Sequence, residues 1–464
     1  MSEKPCAGLL PLYLELYDQV APGARERHEA FVEEIAGALA ARGLEIQRAP
    51  VCRLEPEFSA AVADLERSGV DAILTLHLAY SPSGESVGPL SGTRLPIVVL
   101  DTTPDAEFGL DADPARIMFN HGIHGVQDMA NMLRRHGKRF EIVAGHPQES
   151  NVLERCADLV RAARAAARFG STRALRIGES FRGMGDFTVP EEVMERVLGV
   201  SVQQVAPADL GPYVEKVPGD AVKDELARDA GAFDIDCPAE VHRRSVLVGL
   251  ALRALLEQGG YSAFSANFLA FDSAEGAVNT VPFLEISKAM ARGTGYAGEG
   301  DVLTAALVGA LLSAWPQTTF TEIFCPDWRG DSLFLSHMGE INPRVSAGRP
   351  LLCERPFPYT PAGNPAVLAC APAPGEAVLV NLAPGGEDTF ALIAAPVEVL
   401  GEAQHPEMND KVRGWIRPRL PVAGFLEEYS RAGGTHHSAL VAGDRSEALA
   451  AFARSAGLGF VRID

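Results

Sequence analysis

The stretch EFSAAVADLERSGVDAILTL, residues 57–76, decides the class of fold for the first part of the chain. Residues 57–68 are a candidate helix, and after Gly69 the chain continues as a short apolar run at 70–76. A continuous run of this kind is typical of a strand that is covered on both faces of its sheet. An earlier helix is predicted at 25–42, where apolar residues recur every four positions. Similar apolar runs follow at residues 95–100 and 140–144. Helices and strands in alternation predict a parallel α/β sheet with right-handed crossovers.

The pattern of the remaining sequence predicts a second α/β region and then a region of different composition, rich in short strands. A strong Ala/Arg-rich helix candidate at 151–169 is followed by a strand candidate at 174–177, and another helix is predicted at 243–258. From Leu351 onward Pro and Gly become frequent, and short strand candidates follow one another without helices, at residues 366–368, 377–380 and 389–393. Closely spaced strands are typical of antiparallel structure and of barrels. The predicted fold class is therefore α/β, with two open parallel-sheet domains and a β-rich, barrel-like C-terminal domain. Their predicted bounds are 1–170, 171–325 and 326–464.

Composition excludes several classes of function. The 464 residues carry 41 basic and 61 acidic side chains, a formal net charge of −20, which disfavours binding to nucleic acid. No apolar run approaches the roughly 20 residues that a membrane span needs, and the N-terminal sequence does not resemble a secretory leader. The 7 cysteines are odd in number and form no CxxC pair, which argues against a disulfide framework and a cysteine zinc site. These features predict a cytoplasmic protein without membrane or nucleic-acid partners.

Three segments place carboxylate or imidazole side chains among apolar or glycine residues: FTEIF at 320–324, LSHMGEINP at 335–343 and AGGTHHSAL at 432–440. Glu322 and Glu340 lie beside bulky apolar residues, where a carboxylate is at an edge, paired or bound to a metal, because burying it alone is costly. Taken singly, each glutamate is more often a solvated strand residue. His436 and His437 are adjacent, and adjacent strand residues point to opposite faces, so only one is expected to face a site.

Several segments resemble, in the same order, the signatures of bacterial L-arabinose isomerases within the wider arabinose/fucose isomerase superfamily. GYAGEGD at 295–301 resembles GFAGEGD, and SHMGE at 336–340 resembles SHMLE. GGTHH at 433–437 resembles GGAHH, and LEQGGYSAF at 256–264 resembles LEQGGFHAF. Shorter likenesses to LHTFSP and NQTAHG occur at residues 76–82 and 120–125. Together these segments are specific, and they run from about residue 70 to the C-terminus.

The resemblance implies an enzyme that interconverts an aldose and a ketose through an enediol. It implies Glu322 and Glu340 as the acid–base pair, and the same two glutamates with His437 as ligands of a divalent metal, most often Mn²⁺. It places Tyr80, His124 and His436 at the sugar. It also implies a homo-oligomer, a trimer or hexamer, in which neighbouring subunits share active sites. The chemistry is consistent, since two carboxylates in different environments can act as acid and base, and a hard cation can stabilise enediolate charge.

Two departures from the family pattern bear on function: the first predicts altered metal affinity or activity, and the second predicts a substrate other than plain L-arabinose. Residues 352–359, LCERPFPY, contain no histidine where the family has a further metal-binding one, and Glu354 lies a few residues out of register. Residues 12–17, LYLELY, stand where the family has a polar Gly-Ser-Gln-His segment. Two other functions stay open from the sequence: a sugar-binding relative without catalysis, and a metal-dependent epimerase or lyase on the same scaffold.

Overall fold

The computed structural model describes residues 4–21, 23–401, 403 and 405–464. The chain forms two compact units, unit 1 (1–164) and unit 2 (165–464), and the division between them falls within one long helix. The predicted domain bounds at 170 and 325 stay predictions. Among the helices of the described ranges, none combines the length and the apolar character needed to cross a membrane.

Unit 1 is built on a five-stranded parallel sheet of order β2-β1-β3-β4-β5. Its strands are β1 (Cys6–Leu12), β2 (Glu45–Arg48), β3 (Ala72–His77), β4 (Ile97–Asp101) and β5 (Phe140–Ala144). Its helices are α1 (Glu15–Val20), α2 (Ala24–Ala41), α3 (Glu55–Ser68), α4 (Ser83–Gly92), α5 (Ile117–Asn120), α6 (Ile123–Arg135) and the first part of α7 (Val152–Phe169). The prediction for residues 57–76 is confirmed: α3 ends at Gly69, which has a φ of 68°, and every residue of β3 is buried.

The strand order of unit 1 reverses between β1 and β3. The chain passes from β1 to β2 on one side and then to β3 on the other, so Leu12 and His77 pair at the carboxyl ends of adjacent strands. In open α/β sheets, this reversal point is where ligands usually bind. The edge formed by the carboxyl ends of these strands is called the unit 1 edge below.

Unit 2 begins with a four-stranded parallel sheet of order β10-β9-β6-β7. Its strands are β6 (Arg173–Ile177), β7 (Ser201–Val205), β9 (Ala263–Ala266) and β10 (Gly295–Gly298). The helices of this part are α8 (Glu191–Val193), α9 (Gly211–Val214), α10 (Gly219–Ala232), α11 (Ala239–Gly259), α12 (Phe283–Ala291) and α13 (Val302–Ala314). A small separate sheet joins β8 (Asp234–Asp236), β13 (Leu351–Glu354) and β14 (Ala366–Ala369). The second parallel α/β region is therefore confirmed.

The C-terminal strands of unit 2 form a closed, mainly antiparallel sheet, which confirms the predicted barrel. The strands are β11 (Thr318–Asp327), β12 (Ser332–Ser336), β15 (Gly375–Pro384), β16 (Phe390–Val399), β17 (Gly414–Pro418), β18 (His437–Ala442) and β19 (Gly459–Arg462). The order is β15-β18-β11-β12-β17-β16-β19, and an additional pairing of β15 with β16 closes the ring. The helices α14 (Val422–Arg431) and α15 (Ser446–Ala456) belong to this part. Among the described strands of the barrel, β19 alone pairs in parallel, with β16.

Helix α13 connects the parallel sheet of unit 2 to the barrel. Its residues are almost all apolar and buried, and it contacts β9 and β10 of the sheet as well as β11 and β18 of the barrel. A helix that is apolar on all sides is one that is enclosed by other elements. Asp301 caps its N-terminus by accepting a hydrogen bond from the Thr304 backbone N–H at 2.8 Å. The start of α13 is thereby fixed beneath the ends of β11 and β18.

Candidate active site

Two adjacent barrel strands bring the first pair of candidate residues together. Glu322 on β11 pairs directly with His437 on β18, and on its other side Glu322 pairs with Ser336 on β12. The residue after Ser336 is His337, whose Nε2 lies 3.9 Å from Oε2 of Glu322. Neighbouring strands hold side chains about 5 Å apart, so Glu322, His337 and His437 form one compact group from distant parts of the sequence.

His437 is held from behind by Asp301. The Nδ1 of His437 lies 3.0 Å from Oδ2 of Asp301, and both side chains are fully buried. Because a carboxylate only accepts hydrogen bonds, the Nδ1 of this pair keeps its proton, and when the ring is neutral its lone pair lies on Nε2. That Nε2 is buried and has no hydrogen-bond partner among the described residues. It lies 3.5 Å from Oε2 of Glu299, the residue that leads from β10 to Asp301.

Glu299 and Gly300 form the tight turn between β10 and α13, with φ values of 64° and 86°. A side chain at Gly300 would place its Cβ 2.5 Å from the Ser180 Cα, so only glycine fits this approach. The neighbouring Gly298 has a similar role, because a Cβ there would lie 2.7 Å from Cε1 of His337. The glycines of the GYAGEGD segment therefore let the turn approach the imidazole rings closely.

Glu340 contacts His337 and not the centre of the group. One carboxylate oxygen accepts a hydrogen bond from the Tyr296 hydroxyl at 2.8 Å. The other accepts from His337 Nδ1 and from the Gly339 backbone N–H, both at 2.8 Å. With Nδ1 donating to Glu340, the Nε2 of His337 faces Glu322. Glu340 thus orients His337 in the same way that Asp301 orients His437.

His436 is held by the loop that follows β6. Oδ2 of Asp186 accepts the His436 backbone N–H at 2.9 Å and lies 2.7 Å from its Nδ1. The Phe187 ring stacks on His437 with a centroid distance of 5.2 Å and an interplanar angle of 13°, and it also contacts His436. The Nε2 of His436 lies 3.8 Å from Oε2 of Glu299. Both histidines therefore contribute to one group, which corrects the expectation that only one would. The reason is that His436 precedes the first residue of β18 and so lies outside the alternation of the strand.

The charges of these groups depend on one another. Burial lowers the pKa of His437, but the hydrogen bond to Asp301 and the nearby Glu299 outweigh it and raise that pKa to about 10. Burial raises the pKa of Glu299, yet its contacts with His436 and His437 lower it to about 2. The pKa of Glu322 is raised because burial outweighs the attraction of the histidines. Of Glu322 and Glu299, Glu322 is therefore the carboxylate that takes up a proton more readily.

The donor set fits a divalent cation. Two groups of three residues each bring one ligand atom per residue within 4.8 Å of the others: Glu322, His337 and His437, and Glu299, His436 and His437. We call them the Glu322 group and the Glu299 group. Imidazole nitrogen and carboxylate oxygen both suit divalent transition metals. A buried nitrogen without a partner, as at His437, is also costly unless a ligand binds it.

The structure distributes the residues predicted from the sequence over both units. Glu322 and His437 are neighbours in unit 2, with His436 beside them, and Glu340 reaches them through His337. Tyr80 and His124 lie in unit 1, where their rings are 6.4 Å apart and the Tyr80 hydroxyl donates to Asp128. Sequence reasoning missed four partners of the site, which are His337, Glu299, Asp301 and Asp186. The first three lie in segments that carry the family resemblance, whereas nothing in the sequence around Asp186 indicates its role.

Comparisons with known sequences point to one family over most of the chain. Residues 175–314 match the family described as L-arabinose isomerase central domain, and residues 317–459 match L-arabinose isomerase C-terminal domain. An L-arabinose isomerase of a Nocardioides species is 29% identical over 416 residues, which is 86% of this chain and 81% of that protein. The L-arabinose isomerase of Shouchella clausii is 28% identical over 479 residues, 98% of this chain and 93% of its own length. That of Geobacillus kaustophilus is 29% identical over 406 residues, 84% of this chain and 80% of its own.

Proposed function

The chain belongs to the L-arabinose isomerase family, and we propose on this basis that it is an aldose–ketose sugar isomerase that requires a divalent metal. The observation that carries the proposal is the pairing of Glu322 with His437 across β11 and β18. This pairing places a proton-accepting carboxylate beside an imidazole nitrogen that has no partner among the described residues. The two groups occupy the positions that the family resemblance assigns to catalysis and metal binding.

The proposed reaction transfers one proton between C1 and C2 of the sugar and another between the two oxygens. Glu322 suits the first transfer, because its raised pKa brings its proton affinity closer to that required of a base at neutral pH. The second transfer requires a group that can pass a proton to or from a hydroxyl. We assign it to Glu340 acting with His337, which are joined by a hydrogen bond of 2.8 Å. Two carboxylates with different surroundings can in this way divide acid and base roles.

The ligands proposed for the metal are Glu322, Glu340 and His437, with His337 as an added candidate from the geometry. A divalent ion at this position, which we propose to be Mn²⁺, would supply electrostatic stabilisation for the negative charge that develops on the sugar oxygens. Direct binding by Glu340 requires its oxygens to leave Tyr296, His337 and Gly339. A direct bond from Glu340 to the ion therefore stays a prediction.

The substrate is proposed to be a pentose or hexose that differs from L-arabinose. The proposed sugar contacts are Tyr80 and His124 in unit 1 and His436 in unit 2. The segment that departs from the family at 12–17 ends at Tyr17, whose hydroxyl lies 2.8 Å from Nε2 of His121. The ring of His121 lies 5.7 Å from that of His124. A change at 12–17 is therefore linked to a proposed sugar contact by one residue, which provides a route to altered specificity.

We also propose a homo-oligomer with shared active sites, working in the cytoplasm. Several large apolar side chains are exposed in the segments that follow β1 and β4 at the unit 1 edge: Leu16, Val20, Phe108, Leu110 and Ile117. Exposed apolar groups of this kind favour contact with a second chain.

The proposed compartment is supported by the cysteines. The described cysteines are all free thiols, which suits a reducing compartment.

Shared active sites are tested by mixing a His124→Ala variant with a Glu322→Gln variant, which should restore part of the activity through hybrid sites. A fully active protein that is a monomer in light scattering would exclude shared sites.

The function is tested with a panel of aldopentoses, aldohexoses and the corresponding ketoses, with added Mn²⁺ and with EDTA. We expect one aldose–ketose pair to interconvert, with solvent deuterium entering the product when the reaction is followed by NMR in deuterated water. Epimerisation or elimination would appear in the same spectra as different products. Binding of a sugar without turnover in any metal would replace the isomerase with a sugar-binding protein.

A further inference from the structure

The Glu299 group lies beside the proposed catalytic carboxylate but uses different residues. Its three ligand atoms are a carboxylate oxygen of Glu299 and the ring nitrogens of His436 and His437. Oε2 of Glu299 is 3.8 Å from Nε2 of His436 and 3.5 Å from Nε2 of His437. The side chain of Glu299 is only 11% exposed, and that of His437 is completely buried.

The Nε2 atoms of both rings are directed toward Glu299, because carboxylates on the opposite side hold the Nδ1 atoms. Asp186 lies 2.7 Å from Nδ1 of His436, and Asp301 lies 3.0 Å from Nδ1 of His437. In each pair the Nδ1 atom keeps a proton, so Nε2 is the nitrogen that loses its proton and becomes an acceptor when a cation binds. This arrangement, in which an outer carboxylate fixes a ring whose other nitrogen binds a cation, is general in metal sites.

We propose that Glu299, His436 and His437 form a second position for the divalent ion, with Asp186 as its positioning residue. The proposal rests on the proposed metal dependence of the enzyme. Because the Nδ1 of His437 is hydrogen-bonded to Asp301, its Nε2 is the nitrogen available to either group, and one nitrogen lone pair binds one ion. The Glu322 group and the Glu299 group are therefore alternative positions for a single ion, and they cannot both be filled at once.

Because only one of the two groups can hold an ion at a time, the variants should differ in Mn²⁺ binding in a distinctive pattern. Binding is measured by titrating the metal-free full-length protein with Mn²⁺ and determining the concentration of free Mn²⁺ by EPR. The wild type is expected to bind one ion per chain. Glu322→Gln and Glu299→Gln should each still bind one ion, with weaker affinity, because the other group remains. The double variant and His437→Gln should lose this binding. Glu398→Gln, at an exposed glutamate paired with Arg417, is the matched control.

The identity of the bound imidazoles provides a second measurement that does not depend on affinity. In Glu322→Gln with ¹⁵N-labelled histidine, pulsed EPR of bound Mn²⁺ should detect two ring nitrogens, from His436 and His437. Adding His436→Gln should remove one of them, whereas the same substitution in the Glu299→Gln background should not. Adding Asp186→Asn to Glu322→Gln should weaken Mn²⁺ binding by about 10- to 100-fold, as is usual for an outer partner of a metal ligand.

The outcomes separate this inference from the proposed function. If Glu322→Gln abolishes Mn²⁺ binding while the wild type binds one ion, the second position is wrong and the metal-dependent isomerase stands. Two ions per wild-type chain would likewise overturn the exclusion. A wild type that isomerises sugars in EDTA and binds no Mn²⁺ would remove both the metal dependence and the second position.

Discussion

Buried histidines in the two units have opposite electrostatic environments. In unit 1, burial lowers the pKa of His28 to about 4 and that of His77 to about 3. In unit 2, His437 is just as buried, yet the carboxylates of Asp301 and Glu299 raise its pKa to about 10. The difference shows that burial alone keeps an imidazole neutral, whereas a hydrogen-bonded carboxylate reverses the effect.

The two environments suit different ligands. The unit 1 histidines have ring nitrogens without hydrogen-bond partners in the described part of the chain, namely Nδ1 of His28, Nδ1 of His121 and both nitrogens of His77. Neutral rings of this kind can exchange hydrogen bonds with uncharged hydroxyl groups, such as those of a sugar. In unit 2 the Nδ1 atoms of His436 and His437 are hydrogen-bonded to carboxylates, which favours binding of a cation at the Nε2 atoms. The proposed function thus assigns one residue type two roles, hydrogen bonding to a neutral ligand in unit 1 and metal binding in unit 2.

The largest effect is expected at Glu322, the carboxylate of unit 2 that is the proposed base and whose pKa is raised by burial. Glu322→Gln keeps the shape of the side chain but removes the proton acceptor, so kcat should fall by about 10²–10⁴. If sugar binding is retained, KM should change much less than kcat. Glu398→Gln is the matched control, since this glutamate is exposed on β16. An unchanged kcat in Glu322→Gln would remove Glu322 from the chemistry.

A smaller effect is expected at the carboxylate that distinguishes His437 from the unit 1 histidines. In Asp301→Asn the new amide can donate a hydrogen bond to Nδ1, which would move the ring proton to Nε2 and block the metal-binding nitrogen. Mn²⁺ binding should weaken by about 10- to 100-fold, measured by calorimetry. Asp220→Asn, at an exposed residue of α10, is the control. Equal affinity in both variants would mean that Asp301 does not determine which nitrogen binds.

These carboxylates also show where prediction from sequence succeeds and where it ends. Periodicity and apolar runs predict the parallel sheets and the barrel, because those patterns record local propensity and burial. The family resemblance identifies Glu322, Glu340 and His437 as candidate site residues. The partners Asp301 and Asp186 are 136 and 250 residues away from the histidines that they orient. Only the folded chain pairs residues at that separation, since no local pattern encodes a hydrogen bond between them.

The neutral histidines of unit 1 predict a dependence of stability on pH. The folded pKa of His28, about 4, lies below the ordinary histidine pKa of 6.5, so below pH 6.5 the unfolded chain binds more protons than the folded one. The contribution of neutral His28 to the free energy of unfolding is fully present above pH 6.5 and is lost progressively as the pH falls toward 4. Between pH 7 and pH 5 the loss amounts to about 2 kcal/mol, at 1.36 kcal/mol per pKa unit.

Urea unfolding of the wild type and of His28→Gln at pH 7 and pH 5 measures this contribution. The variant should lose about 2 kcal/mol less than the wild type over this interval, whatever its stability at pH 7. His136→Gln, at an exposed histidine of the same unit, should follow the wild type. If His28→Gln and the wild type lose the same stability between the two pH values, His28 is charged in the folded protein and the contrast between the units fails.

The smallest effect concerns the one hydrogen bond that a unit 1 imidazole makes to a hydroxyl. Tyr17→Phe keeps the ring, which contacts Tyr13 and His121, but removes the hydroxyl that lies 2.8 Å from Nε2 of His121. Nδ1 of His121 already has no hydrogen-bond partner among the described residues. Because the substitution also removes the partner of Nε2, the free energy of unfolding should fall by about 1 kcal/mol. Tyr359→Phe, at an exposed tyrosine, is the control and should have no measurable effect. A loss of this size would mean that the Tyr17 hydroxyl stabilises the folded protein through its hydrogen bond to His121. Equal stability of the two variants would mean that water replaces the Tyr17 hydroxyl at His121, and that this ring is accessible to the hydroxyls of a sugar.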